Sequence, residues 1–293
     1  MKVLILGGSG MLGHKLWQTL APRFDTTVTF RRLPESALPV FDRSRVIEGV
    51  SAEQFNTVAD ALAQVQPEVV VNCVGIVKQD AAAKDPVAGI TVNSLFPHRL
   101  AQACSAAKAR LIHISTDCVF SGQRGNYSED NITDAEDLYG RTKALGEVDY
   151  GNNLTIRTSM IGRELQGSHG LVEWFLGQQG KTVRGFKRAI FSGFTTNALA
   201  KIIGDIIADQ QQLRGMWHVA AEAIDKFDLL TQVRDAYELD IEIEPDETFV
   251  CDRSLNGERF RKETGIVAPS WPEMIARMRA DNTPYNELRR VNA

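Results

Sequence analysis

Cysteine is scarce in this chain of 293 residues: Cys73, Cys104, Cys118 and Cys251 lie far apart, with no CxxC pair and no histidine at ligand spacing. A disulfide framework and a metal site are therefore not expected, and the four read as reduced thiols of a cytoplasmic protein. Long apolar runs are missing too. None approaches the roughly eighteen residues a spanning helix requires, so no membrane segment is expected. Lys2 followed by Val3-Leu4-Ile5-Leu6 mimics the start of a signal peptide, but the apolar stretch stops at Gly7, short of a secretory core. Positive charge is not in excess. A formal net charge of −4 gives no general attraction to nucleic acid or to anionic membrane. Internal repeats and low-complexity tracts are absent as well.

What is present is 43% hydrophobic residues, enough for one or two cores. Through the first half, short apolar runs alternate with helix-like patterns. Strands are expected at 3–6, 27–30, 46–48, 68–72 and 110–115. Leu12, Leu16 and Leu20 fall on one helix face, Ser51 is placed to cap a helix ending before Pro67, and a long helix is expected from Pro86 to Lys108. The run EVVVN is of the continuous apolar kind that a parallel sheet buries on both faces. Repeated strand–helix–strand units of this length predict an α/β fold, a Rossmann-type doubly wound parallel sheet. Ligands of such sheets lie at the carboxyl ends of the strands. The second half is less regular: a strand at 154–157, an amphipathic helix carrying Leu199, Ile202, Ile203, Ile206 and Ile207, and a helix around 272–279. Residues 1–160 are expected to form the nucleotide-binding domain, with a helix at 196–212 packing back on it, and 161–293 mainly a smaller C-terminal substrate-binding lobe.

The first strand runs into GGSGMLG. Gly8, Gly10 and Gly13 fit one dinucleotide fingerprint, and Gly7, Gly10 and Gly13 fit its short-chain variant. In either, one glycine makes the turn, Gly10 admits a pyrophosphate, and Gly13 lets the helix approach the strand. The helix N-terminus offers free N–H groups to the phosphates. Near the end of the second strand an NAD site expects an acidic residue, whereas this chain has Arg31-Arg32. Guanidinium groups pair with a 2′-phosphate, so NADPH is favoured, with NADH possible.

Tyr139 and Lys143 in LYGRTKALGE share a helix face at i and i+4. Bringing a phenol from about 10 to near 7 takes about 4 kcal/mol, which a neighbouring ammonium and an oxidised nicotinamide are placed to supply. Tyr139 then exchanges a proton with an alcohol or ketone, and Lys143 holds the nicotinamide ribose. Thr116, after the strand RLIHIS, offers a hydroxyl to polarise a carbonyl.

Glycine loop, STD and YxxxK in that order resemble the extended short-chain dehydrogenases/reductases. More narrowly, GGSGMLG, PEVVVNCVG, HISTDCVFSG, YGRTKALGE, LTIRTS and the late DRSLNGERFRKETG make the chain similar to the dTDP-4-dehydrorhamnose reductase family. The resemblance implies NAD(P)H-dependent reduction of the C4 ketone of a nucleotide-linked 6-deoxysugar, feeding surface polysaccharide synthesis. It implies a catalytic set of Thr116, Tyr139 and Lys143. It also implies cofactor contacts at Gly7, Gly10, Met11, Leu12 and Gly13, at Gly49 and Val50 near the adenine, and at Asn72, Gly75, Ile76 and Val77. Asn93 is a structural or proton-relay residue. Asp117, Cys118 and Met160 face the sugar, and Arg163, Arg188 of RGFKR, and Arg253 are candidates for the substrate diphosphate. A homodimer is possible. Cys118 replaces the family's aromatic residue, Met160 its tryptophan, and Val77-Lys78-Gln79-Asp80 its acidic stretch, so dTDP-4-dehydrorhamnose and a UDP-N-acetyl-4-keto-6-deoxyhexose both stay open as substrates. A sugar dehydratase would carry Glu where Cys118 stands. An epimerase and a non-catalytic NADP-binding regulatory subunit are the alternatives.

Overall fold

The computed structural model describes residues 1–33, 35–78 and 84–290. Its centre is a seven-stranded parallel sheet in the order β11-β6-β5-β4-β1-β2-β3. The strands are β1 (Lys2–Leu6), β2 (Asp25–Thr29), β3 (Val46–Ile47), β4 (Val69–Asn72), β5 (Arg110–Ile114), β6 (Leu154–Arg157) and β11 (Gly215–His218). The helices of this half are α1 (Gly13–Leu20), α2 (Phe55–Val65), α3 (Pro86–Gly89), α4 (Phe96–Ala106) and α5 (Leu138–Leu145). The period of two along a strand sends alternate residues to opposite layers. Val3 and Ile5 enter the core under α1 and α7 (Thr196–Asp209), while Leu4 and Leu6 enter the core under α2 and α4. Each such fully buried aliphatic side chain is worth about 2 kcal/mol of transfer free energy.

Two expected elements differ. Helix α2 starts at Phe55, not after Ser51, because Ser51 is used in a turn: its N–H donates to Thr57 Oγ1 at 2.9 Å. The long helix is a rod of three parts, with a π-helical turn at Ile90–Leu95 between α3 and α4. Pro97 explains it. Proline has no N–H for the carbonyl four residues back, and its ring crowds that carbonyl, which belongs to Asn93. The displaced carbonyl packs on Gly146, where a Cβ would overlap it.

Beyond residue 160 come β7 (Met160–Ile161) paired with β10 (Phe194–Thr195), β8 (Thr182–Phe186) paired with β13 (Glu242–Asp246), and β9 (Ala189–Phe191) between β12 (Ile224–Asp225) and β14 (Cys251–Asp252). Helices α6 (Leu171–Leu176), α8 (Lys226–Tyr237), α9 (Glu258–Thr264), α10 (Trp271–Arg279) and α11 (Tyr285–Arg290) complete the chain. Helix α7 packs on α1, and β11 joins the edge of the central sheet beside β6; β11 was not anticipated, because GMWH shows neither the alternation nor the continuous apolar run of a strand. The C-terminal segment also locks onto α1. Lys15 forms a buried ion pair with Asp281, and the His14 ring bridges the Gly10 carbonyl at 2.9 Å and the Tyr285 hydroxyl at 3.0 Å.

Candidate active site

At the carboxyl edge of the sheet a cavity of about 620 Å³ runs from the glycine loop to the second lobe. The loop forms its floor. Gly7 ends β1 with φ +89°, and a Cβ on Gly13 would overlap the Gly7 carbonyl, so α1 reaches the strand only with glycine there. Gly10 differs: a Cβ there would meet nothing nearer than the Gly7 carbonyl oxygen at 3.5 Å. Protein packing does not demand glycine at that position, whereas a ligand lying against the backbone would. Met11, Leu12 and Gly13 line the same floor.

The segment after β4 forms one wall through Gly75, Ile76 and Val77. The buried Asn93 amide holds it, accepting from the Ile76 N–H at 2.9 Å and donating to the Ile76 carbonyl at 3.0 Å. Both ends of the amide thus bind the backbone of Ile76, and Nδ2 also reaches the Thr142 hydroxyl at 3.4 Å. Lys78 ties the wall to α5 by an ion pair with Asp137 at 2.7 Å. Gln79 and Asp80 lie outside the described residues.

Asp137 caps α5, accepting from the Gly140 N–H at 2.8 Å. A Cβ on Gly140 would overlap the Cys118 carbonyl, so the helix backbone lies directly on the turn after β5. That contact places Tyr139 beside Thr116. Thr116 Oγ1 accepts from the Cys118 N–H at 3.1 Å and donates to Asp117 at 3.1 Å. Lys143, one helical turn on, donates to the Ile114 carbonyl at 2.9 Å, and its Nζ lies 3.9 Å from where a Gly75 Cβ would stand. Beneath them a buried Glu147 receives Ser115 at 2.7 Å and the Arg157 guanidinium at 2.7 and 2.8 Å, joining the ends of β5 and β6.

The protein's own groups act against the lowering expected of the Tyr139 phenol. Burial pushes the Tyr139 phenol above its ordinary value; Cys118, Asp117 and Asp137 push the same way and the neighbouring Thr116 hydroxyl opposes them. Together they favour the neutral, proton-bearing phenol. Desolvation of the phenolate is the largest of these effects. Burial brings the Lys143 ammonium down to about 8, against an opposing pull from Glu147 and Cys73. Burial pushes the Asp117 carboxyl up and the Cys118 thiol up to about 12.

Thr116, Asp117, Cys118, Tyr139, Lys143, Met160 and Arg253 thus meet around one cavity. Other expected residues stand elsewhere. Asn72 is turned inward, its amide bound to His113 Nδ1 at 3.0 Å and to the Val74 N–H at 3.0 Å, so it fixes the end of β4 and does not line the cavity. Arg31, Arg32, Gly49 and Val50 gather at the end of β2 outside the cavity, with both arginines exposed and the Gly49 N–H on the Arg31 carbonyl at 3.2 Å. Arg163 is spent on Glu173 at 2.6 Å and lies over the Tyr285 ring, because it belongs to the packing around α1 and α11. Arg188 is exposed and outside the lining, and its neighbour Arg184 pairs with Asp246 at 3.5 Å. In their place the fold brings in Lys226, Phe191 and Cys251, none of which the sequence pattern marked. One signal was available: Lys226 opens a helix capped by Asp225, where the macrodipole disfavours a cation.

The chain is 38% identical over 145 residues to dTDP-4-dehydrorhamnose reductase of Streptomyces griseus, covering 49% of this chain and 43% of that protein. It is 32% identical over 148 residues to methionine adenosyltransferase 2 subunit beta of Bos taurus, covering 50% and 41%. These matches span less than half the length of either relative. Among solved structures, dTDP-4-dehydrorhamnose reductase of Bacillus anthracis in complex with NADP superposes with a TM-score of 0.79 at 22% identity, covering 96% of this chain and 99% of that one. The fold is therefore that of these Rossmann-like structures. With residues 1–283 matching the RmlD substrate binding domain, the chain belongs to that family.

Proposed function

We propose that the protein reduces the C4 ketone of a nucleotide-linked 6-deoxysugar with NADPH. The observation that carries this reading is the meeting of the glycine loop, Thr116, Tyr139 and Lys143 around one cavity, with Gly10 leaving the room a dinucleotide needs. Similarity to reductases of dTDP-4-dehydrorhamnose supports the substrate class. The residues fit the cofactor: Gly10, Met11 and Leu12 offer backbone to the pyrophosphate, Gly75 to Val77 a wall along it, and Lys143 an ammonium to the ribose. When bound, the dinucleotide supplies hydride. Thr116 offers its hydroxyl to the ketone oxygen, and Tyr139 then gives that oxygen its proton, a direction for which a neutral phenol is the required form. The sugar nucleotide lies between Asp117, Cys118 and Met160 of the first domain and the lobe of residues 161–293, whose Arg253 reaches across to Cys118. The four free thiols suit a cytoplasmic enzyme, and the product class suits surface polysaccharide synthesis. Exposed apolar residues on adjoining helical segments, Val87 at 72% and Leu145 at 67%, support a homodimer.

The assay is direct: NADPH is consumed when a 4-keto nucleotide sugar is added and not otherwise. Consumption with none of a panel of dTDP- and UDP-linked 4-keto sugars overturns the reading. Similarity to methionine adenosyltransferase 2 subunit beta favours one second reading, an NADP-binding regulatory subunit, which predicts binding without turnover. Arg31 and Arg32, exposed at the adenine end, set the preference for NADPH. Replacing both by Ala is expected to cut the ratio of kcat/KM for NADPH over NADH by about tenfold or more, since charge-assisted contacts to the 2′-phosphate are lost. An unchanged ratio removes them from cofactor choice.

A further inference from the structure

Lys226 stands in the cavity with nothing to hold. It opens α8 and lines the wall with Phe191, Cys251 and Arg253. Its ammonium sits 4.0 Å from the centroid of the Phe191 ring, and among the described residues it makes no hydrogen bond and no ion pair. Asp225 caps the helix behind it, accepting from the Asp228 N–H at 2.8 Å, so the lysine is not needed to finish α8. A cation at a helix N-terminus opposes the macrodipole, and a half-buried ammonium loses part of its hydration. Two unfavourable terms at one position, without a protein partner, mark a group arranged for something that arrives.

Arg253 comes to the same place from the strand–loop after β14. Its Nε donates to the Phe120 carbonyl at 2.8 Å and Nη1 lies 3.8 Å from Cys118 Sγ, which leaves the remaining guanidinium edge toward the cavity. Asp117 and the Cys118 and Cys251 thiols act on both cations, and Asp137 acts on Arg253 besides, so Lys226 is the less compensated of the two. Burial brings Lys226 down to about 8 despite Asp117, so the protein alone does not balance that ammonium.

The geometry points to Lys226 and Arg253 as a two-cation clamp for the diphosphate of the substrate, set just outward of Thr116 where the sugar would lie. This rests on the nucleotide-sugar reading above and adds the residue that takes the place expected of Arg163 and Arg188. Phosphate oxygens are strong acceptors, and charge-assisted bonds in a partly desolvated cavity are the ones that count in affinity. Phe191 under the ammonium limits its swing and lets it tolerate the interval without ligand through cation–π attraction.

The test is calorimetric titration of dTDP and of UDP into NADP-loaded protein, with Lys226→Gln and Lys226→Arg beside the native chain. Lys226→Gln is expected to weaken a bound nucleoside diphosphate by about tenfold or more, and Lys226→Arg by no more than about threefold. Thermal stability should not fall, because a half-buried charge without an ion-pair partner is removed. Unaltered diphosphate affinity in Lys226→Gln overturns the clamp alone. Native protein that binds neither nucleotide overturns the clamp and the nucleotide-sugar reading together. Tight, Lys226-dependent binding without any ketone reduction leaves the clamp standing and removes only the reductase.

Discussion

Tyr139→Phe is expected to lower turnover by about a hundredfold or more while NADPH still binds. The substitution deletes one oxygen from a ring on the cavity wall and leaves the capped helix, the Gly140 contact and the Lys143–Ile114 bond as they are. Cofactor affinity should hold, since the glycine loop and the wall held by Asn93 do not touch that oxygen. What disappears is the acid. A ketone receiving hydride becomes an alkoxide, and the proton it needs must come from a group that still carries one at neutral pH. Burial and the neighbouring Asp117 and Asp137 keep the Tyr139 phenol protonated. Single-turnover oxidation of NADPH with saturating substrate reads the step itself. A Phe variant with native turnover would show that water or Thr116 supplies the proton, and the role assigned to Tyr139 would fall.

Acid is expected to destabilise the protein from about pH 6.5 downward, well before its carboxylates titrate. Three histidines are buried in their neutral form. Burial brings His14 down to about 4 and His218 to about 3, and holds His113 well below its ordinary value. Each has a further local cause. The Lys15 ammonium lies next to His14, His218 Nε2 lies 3.3 Å from the Arg157 guanidinium, and among the described residues His113 Nε2 is buried with no partner. The unfolded chain takes these protons near pH 6.5 and the folded one does not. Stability is therefore complete above that value and falls as pH drops toward 4. By pH 5 each histidine costs about 2 kcal/mol, set against a total of roughly 5–15 kcal/mol for a native protein. Asp117 and Glu164, held above the usual carboxylate range by burial, act in the opposite sense and offset part of the loss. Urea midpoints at pH 7 and pH 5 measure the net effect. A midpoint that does not move would mean that the histidines take up protons without opening the fold, and His218→Gln should flatten the slope if they do not.

Some of this was written in local chemistry. Strand–helix alternation, the apolar run at 69–72 and the glycine loop depend on short-range periodicity and on backbone sterics, and those carry the sheet and its ligand edge. Tyr139 and Lys143 are one turn apart on any helix, and Thr116 follows β5 directly, so their meeting needed little more than the topology. The π-helical turn was equally local in cause, a proline at 97, but its consequence was not. Asn93 gained its role only when the displaced carbonyl met Gly146 and its amide met Ile76, partners 53 and 17 residues away in the chain.

Charge was the part that sequence position could not assign. Arg163, Arg188, Arg253 and Lys226 are alike as cations, and what separates them is what each finds across the fold: Glu173 for Arg163, solvent for Arg188, the Phe120 carbonyl at the cavity wall for Arg253, and the cavity for Lys226. A salt bridge or a vacancy depends on distances between segments far apart in the chain, which no local pattern encodes. The amino-acid order by itself determined the parallel sheet, the dinucleotide-type loop and the phenol–ammonium pair, because periodicity and helical pitch act over a few residues. Tertiary packing alone decided which cations face the substrate cavity and in which direction burial moves the phenol, because desolvation is a property of everything that surrounds a group.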